Sequence, residues 1–112
     1  MTPNDRSIDG FSLALQQSMI KCISPNFRMV YFDWSGSEWK ICVVLAEENP
    51  EDAAWSEEIR SDTLDKMDDY FEAGYFSSNT MTQVSLKIIV SKDFEFAWED
   101  SGQRLVYARR ET

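Results

Sequence analysis

Histidine is absent from this sequence of 112 residues, and cysteine and glycine are scarce. Without histidine the chain lacks the usual proton carrier near neutral pH and the commonest metal ligand, which disfavours acid–base enzymes and zinc sites. The two cysteines, Cys22 and Cys42, have no partners at metal-ligand spacing and are expected to be small buried residues in a reducing compartment. The four glycines are isolated, so no glycine-rich phosphate loop is present. We expect no cofactor and no metal.

Long hydrophobic runs are also missing. The polar segment Met1 to Asp9 lacks the basic flank and apolar run of a signal peptide, and no later run approaches the length of a membrane span. We therefore expect a cytoplasmic protein without membrane contact. Hydrophobic residues make up 43% of the chain, including seven Phe, four Tyr and four Trp, which is enough for one core. Residues 1–112 are predicted to form a single domain.

The negative charge is concentrated in one segment. Residues 47–72 contain eleven acids against Arg60 and Lys66, which accounts for the whole formal net charge of −9. Direct binding of nucleic acid is disfavoured, because the phosphate backbone requires a basic surface. An acidic surface instead attracts basic proteins, including proteins that themselves bind nucleic acid.

Hydrophobic periodicity predicts six elements. Apolar residues at spacings of three and four indicate helices, alternation indicates strands, and Asn49-Pro50 has the residue types of a helix start. The elements are a helix over 7–23, strands over 27–34 and 39–46, a helix over 49–73, and strands over 81–90 and 104–109. The order αββαββ predicts an α+β domain, with a four-stranded, mainly antiparallel sheet and two helices packed on one face.

The second helix carries a row of carboxylates beside its predicted apolar side. At 100° per residue, six acids fall within an arc of about 80°. We call them the acidic stripe: Glu51, Glu58, Asp62, Asp65, Asp69 and Glu72. The predicted buried side, in contrast, consists of Ile59, Thr63, Leu64, Met67, Tyr70 and Phe71, with Trp55 at its border.

Like charges at such spacings destabilise an isolated helix by about 0.2–0.5 kcal/mol per pair. Only Asp62 has a basic partner four residues on, Lys66. A surface that served solubility alone would intersperse lysine and arginine among the acids. The pattern motivates the hypothesis that the stripe is a docking surface for a basic protein, and the alternative is a solvated face without a partner.

Aromatic residues near acids allow two interpretations. Trp55 is either an anchor for a basic partner or a residue of the core, and we favour the core because large aromatics are seldom left exposed. In residues 93–100, Phe94, Phe96 and Trp98 alternate with acidic or small residues. They either pack against the domain, which we favour, or form an aromatic, acidic loop that touches the partner.

A short motif lies between the first helix and the first strand. The block from Leu15 to Trp34 contains Ile23-Ser24-Pro25-Asn26-Phe27-Arg28, and an acidic helix start at Glu51-Asp52 follows the next strand. This pattern, over about half of the chain, resembles a family of small bacterial proteins that includes immunity proteins of contact-dependent growth inhibition systems. The resemblance implies a cytoplasmic protein that binds and neutralises the toxin domain of an effector delivered by a sibling cell, commonly a basic nuclease.

Charge and resemblance together predict a non-enzymatic immunity protein that covers the active or substrate-binding surface of a nuclease toxin. The predicted toxin-binding residues are the acidic stripe and Trp55. Two alternatives stay open at this point. One is an acidic adaptor or regulatory module with a different protein partner. The other is a small carboxylate-dependent enzyme, since adjacent acids such as Glu57-Glu58 and Asp68-Asp69 are present.

Overall fold

The computed structural model describes residues 5–20, 22–35, 38–76, 80–81, 83–90 and 104–108. Helices and strands alternate along these residues as in a layered α+β domain. The elements are α1 (Asp5–Met19), β1 (Phe27–Ser35), β2 (Glu38–Leu45), α2 (Pro50–Glu72), β3 (Val84–Val90) and β4 (Arg104–Ala108).

The sheet is mixed, with strand order β3-β2-β1-β4. β1 pairs antiparallel with both β2 and β4, whereas β2 and β3 are parallel. The prediction of a four-stranded, mainly antiparallel sheet is therefore wrong, because β2 and β3 pair in parallel and the sheet is mixed. The cause is the connection between β2 and β3. The 23 residues of α2 span about 35 Å and return the chain to the end where β2 began, which places β3 parallel to β2.

The strands predicted over 27–34 and 39–46 are confirmed, and they pair as a β-hairpin. β1 and β2 pair from Phe27↔Leu45 to Ser35↔Glu38, with a register irregularity between Phe27 and Met29. On β2, Trp39, Ile41, Val43 and Leu45 are buried on the face toward the helices, and Cys42 and Val44 are buried on the other face. Burial of both faces of β2 agrees with its weakly polar alternation in the sequence.

Trp39 lies at the centre of the core between the sheet and the helices. Its ring stacks on Phe11 of α1, with centroids 4.5 Å apart and planes inclined by 8°. The indole Nε1 donates a hydrogen bond to the Thr80 carbonyl oxygen at 2.9 Å, which satisfies its buried polar atom. Trp34 meets Trp39 edge-on across the two strands at 5.1 Å, as the cross-strand pairing of the two residues predicts.

The start of α1 is tied to the end of α2. Arg6 Nε donates to the Gly74 carbonyl oxygen at 2.9 Å, and Ser7 Oγ donates to the Tyr75 carbonyl oxygen at 3.1 Å. The Arg6 guanidinium also lies 4.6 Å from the centroid of the Tyr75 ring. Gly74 has φ +89°, the left-handed conformation that glycine commonly adopts just after the last turn of a helix.

Gly10→Ala is expected to destabilise the protein by about 1–2 kcal/mol, although alanine is the better helix former. A Cβ at Gly10 would lie 2.8 Å from Tyr75 Cβ, an atom that cannot move without its backbone. Urea unfolding measures the change. Gln17→Ala, at an exposed position of the same helix, is the control and should change stability by less than about 0.5 kcal/mol. Equal stability of the Gly10 variant and the wild type would contradict close packing of α1 against Tyr75.

Candidate functional site

The start of α2 is capped as the sequence predicts. The Asn49 side chain accepts hydrogen bonds from the backbone N–H groups of Glu51, at 2.9 Å, and Asp52, at 3.2 Å. Pro50 occupies the first helical position, where its missing donor costs nothing. The carboxylates of the first turn lie against the positive end of the helix dipole. The cap therefore fixes the residue at which α2, and with it the acidic stripe, begins.

The buried face of α2 is narrower and more polar than predicted. It consists of Asp52, Ser56, Ile59, Thr63 and Met67. Ser56 Oγ donates to the Asp52 carbonyl oxygen at 2.8 Å and Thr63 Oγ1 to the Ile59 carbonyl oxygen at 2.7 Å, so both buried hydroxyls are satisfied within the helix. Small side chains with internal hydrogen bonds are compatible with a helix that packs closely on a sheet.

Three large residues predicted for the buried side of α2, or for its border, are exposed instead. The exposed fractions are 42% for Trp55, 38% for Leu64 and 41% for Phe71. They stand at the two borders of the predicted apolar arc, where neither the sheet nor α1 covers them fully. The preferred interpretation of Trp55 as a core residue is therefore wrong. Its indole is part of the same surface as the carboxylates.

The acidic stripe lies on the exposed side of α2. Glu51, Glu58, Asp65, Asp69 and Glu72 are exposed, and Asp62 is half-buried. Within the ranges described here, none of the six carboxylates forms an ion pair, and the Asp62–Lys66 pair offered by the sequence is not made. The ion pair of α2 is Arg60 with Glu57, outside the stripe. Arg60 also donates to the Val84 carbonyl oxygen at 3.3 Å, which turns it toward β3. The repulsion along the stripe is thus uncompensated by described residues.

Cys22, in the connection from α1 to β1, lies next to the stripe. Burial raises the pKa of its thiol, and the negative charges of Asp62 and Glu58 raise it further, while Lys66 acts in the opposite direction. The same connection forms one side of a groove of about 440 Å³, whose other side is the first turns of α2. The uncharged residues 22–26 therefore border the acidic stripe.

The folded protein is expected to lose stability as the pH rises above 9. Burial raises the pKa of Cys22 and Cys42 from the ordinary value of 9.0, and that of Tyr31 from 10.0. The unfolded chain releases these protons first, so the stabilisation is complete below the ordinary values and is lost at higher pH. Urea midpoints between pH 8 and 10 measure the loss. Cys22→Ala combined with Cys42→Ala should flatten the profile, and an equally steep decline in this variant would contradict the assignment.

Trp55 separates two grooves. The first, of about 440 Å³, is lined by Cys22 to Asn26 on one side and by Asn49, Glu51, Asp52 and Trp55 on the other. The second, of about 510 Å³, lies on the outer surface of α2 and is lined by Glu51, Ala54, Trp55 and Glu58. Glu51 and Trp55 belong to both. In these grooves the first residues of the acidic stripe, Glu51 and Glu58, therefore lie beside the exposed ring of Trp55.

Asn26 connects the start of β1 to the segment before α2. Its side-chain amide donates to the Glu47 carbonyl oxygen at 2.8 Å and to Asp52 Oδ2 at 2.9 Å, and its Oδ1 accepts from the Glu47 backbone N–H at 2.9 Å. Asp52 is only 5% exposed, so the amide is the partner of a buried carboxylate. Sequence reasoning treated Asn26 only as part of the motif after the first helix and missed this role.

Other predicted features have different outcomes. Phe94, Phe96 and Trp98, in the aromatic segment 93–100, lie outside the described residues. Among the side chains that are described, no group of three or more cysteines, aspartates or glutamates is arranged to hold a metal ion. The described helices include none with the length and apolarity needed to cross a bilayer.

Comparison with protein families identifies the chain. A sequence profile of the MafI2 immunity protein matches residues 9–111. The chain belongs to the MafI2 immunity protein family. The prediction of an immunity protein is confirmed at this level. No curated protein matches the chain.

One solved structure similar to this MafI2 family member is the tri-AMPylated Shewanella oneidensis HEPN toxin in complex with the MNT antitoxin. The TM-score is 0.45 and the sequence identity is 13%, and the superposition covers 88% of this chain and 73% of the matched chain. Similarity at this level carries no functional conclusion.

The structure brings the predicted site residues of this MafI2 family member onto one surface. The stripe residues share one side of α2 because they recur every three or four positions along a regular helix. Trp55 borders the same surface. The connection from Cys22 to Asn26, which was not among the predicted site residues, lies across from the start of the stripe. Its proximity arises from the packing of α1 against α2 and from the hydrogen bond between Asn26 and Asp52, which no local sequence pattern indicates.

Proposed function

We propose that this immunity protein binds and neutralises the toxin domain of a contact-dependent growth inhibition system, and that the toxin is a basic nuclease. The single observation that supports the docking surface is the acidic stripe: six carboxylates on one side of α2, five of them exposed and none paired with a described cation. A helix with such repulsion is less stable than a charge-mixed one. A basic partner would compensate the repulsion in the complex.

The proposed mechanism is occlusion without chemistry. A nuclease must present a basic surface to hold the phosphates of its substrate, and that surface is complementary in charge to the stripe. From Glu58 to Glu72 the stripe covers 15 residues, and the 14 helical rises between them measure about 21 Å. Complementary charge of that extent accelerates association and makes the complex weaken at high salt. We place this encounter in the cytoplasm, where a delivered nuclease would meet its substrate.

The family match favours immunity over an adaptor or a carboxylate enzyme. No described cluster of groups suggests a reaction centre, and the acids of the stripe project from an open helix face rather than into an enclosed cavity. We therefore propose a binding protein that catalyses no reaction.

Co-expression with a candidate toxin domain from a neighbouring gene tests the proposal. The wild-type protein should restore growth, co-purify with the toxin and inhibit nuclease activity in vitro at equimolar concentration. An unrelated acidic protein of similar size is the control for nonspecific charge effects. Absence of both protection and a complex would reject the proposed function. Protection against a toxin that is not a nuclease would reject only the toxin class.

A further inference from the structure

We propose that the groove lined by Glu51, Ala54, Trp55 and Glu58 binds a single arginine side chain of the toxin and anchors the complex there. The inference rests on the proposed function and adds the chemistry of one contact to it. It concerns the outer groove, of about 510 Å³, and not the groove shared with residues 22–26.

The helix places two carboxylates on either side of Trp55. Glu51 precedes Trp55 by four residues and Glu58 follows it by three, so both lie next to it on the helix surface. Ala54 also lines the groove, and its small side chain occupies little of it. A cation that lies against the indole therefore has one carboxylate a turn before it and another a turn after it. Both carboxylates are exposed and free to reorient toward a ligand.

No cation of the described part of the protein fills this groove. The described cation–π contact is that of Arg6 with Tyr75, where the two helices meet. Arg60, the cation nearest in sequence, is held by Glu57 and the Val84 carbonyl oxygen. The groove combines Trp55, a residue that is 42% exposed, with two carboxylates that pair with no described cation, which is the complement of a positively charged side chain.

Arginine fits the groove better than lysine does. Its guanidinium is planar, so it can stack on the indole and still direct donors at two carboxylates. The guanidinium is also more weakly hydrated than an ammonium group, so less hydration free energy is lost when it is buried in an interface. Aromatic residues paired with arginine are typical of the few positions that contribute most to binding. A basic nuclease offers such arginines on its substrate-binding surface.

Titration with blocked arginine tests the groove without the toxin. In ¹H–¹⁵N spectra of the wild-type protein, N-acetyl-arginine amide should shift the Trp55 indole and the amides of residues 51–58 saturably. N-acetyl-citrulline amide, neutral and nearly isosteric, should bind at least tenfold more weakly, and blocked lysine should bind several-fold more weakly. Glu51→Gln combined with Glu58→Gln should abolish saturation, whereas Asp68→Asn, on another side of α2, should not.

Three results of this titration would overturn the inference. Equal shifts with N-acetyl-citrulline amide would show that binding does not depend on the positive charge of the ligand. Equal affinity for lysine would show a nonspecific cation surface. Shifts centred on residues 22–26 would place the ligand in the other groove.

Binding of the intact toxin separates this inference from the proposed function. Trp55 is exposed, so the Trp55→Ala variant is expected to fold normally. Circular dichroism measures whether it does. It should weaken the toxin complex at least 30-fold, while Trp55→Phe, which retains an aromatic face, should weaken it less than fivefold. A complex that tolerates Trp55→Ala would reject the arginine anchor and leave immunity intact. Failure of the wild-type protein to bind the toxin would reject the proposed function itself.

Discussion

Replacing both Asp65 and Asp69 by lysine should weaken toxin binding about 100-fold or more while making the free protein more stable. Both residues are exposed in the middle of the acidic stripe. Their reversal would place two positive charges against the basic surface of the toxin, and like charges across an interface cost several kcal/mol. Each 1.4 kcal/mol corresponds to a tenfold loss of affinity.

The gain in stability has the same electrostatic origin. In the wild type, Asp65 repels Asp62 and Asp68, and Asp69 repels Glu72, at spacings of three residues along α2. The substitutions turn these three pairs into attractive ones and create one new repulsion with Lys66, for a net gain of about 1 kcal/mol. Thermal or urea unfolding measures it. A gain in stability together with a loss of toxin affinity would indicate that Asp65 and Asp69 serve binding although they destabilise the helix.

A matched variant controls for net charge. Glu48→Lys combined with Asp68→Lys changes the formal charge from −9 to −5, as the Asp65 and Asp69 variant does, but at exposed positions outside the stripe. It should retain affinity to within about fivefold. Equal losses in the two variants would mean that the toxin responds to overall charge, and no loss in either would remove the stripe from the interface.

Asn26→Ala should lower the free energy of unfolding by about 3 kcal/mol. The substitution removes three hydrogen bonds of the Asn26 side chain, with distances of 2.8 to 2.9 Å. One of them is made to the Asp52 carboxylate, which is 5% exposed and would be left without this donor. A hydrogen bond to a charged group contributes about 1.5–3 kcal/mol and a neutral one about 1 kcal/mol.

Equilibrium unfolding in urea measures this loss. Gln16→Ala, which removes one exposed hydrogen bond to Ser12 within α1, is the comparison and should cost less than about 0.5 kcal/mol. If Asn26→Ala cost no more than Gln16→Ala, the link between β1 and the start of α2 would not contribute to stability. The groove between residues 22–26 and α2 would then need another explanation for its shape.

Local patterns predicted the elements whose limits are set by local chemistry. Asn49-Pro50 marks the start of α2 because a side-chain acceptor and a proline satisfy the first turn, and Gly74 follows its end because it adopts positive φ. The hairpin between β1 and β2 follows from two alternating segments separated by a short polar turn. In each case residues close in the sequence supply the decisive interaction.

Non-local packing determined what sequence reasoning missed. The parallel pairing of β3 with β2 depends on where α2 returns the chain, and no pattern within residues 84–90 indicates the direction of this pairing. The buried side of α2 was predicted from apolar side chains alone. The structure instead buries Asp52 and Ser56, whose hydrogen bonds are satisfied, and exposes Trp55. The stripe was predicted because its residues recur at regular spacing along one helix. The hydrogen bonds of Asn26 and the side of the groove formed by residues 22–26 were not predicted, because they join segments that are distant in the sequence.

The most direct test of the central claim is a chemical-shift footprint of the isotope-labelled immunity protein in complex with its unlabelled toxin. The largest changes should fall on the stripe residues of α2, on the Trp55 indole and on residues 22–26, and they should diminish as salt is raised from 50 to 500 mM at subsaturating toxin. Changes confined to β3, β4 and the sheet face away from the helices, with α2 unaffected, would contradict docking through the acidic stripe.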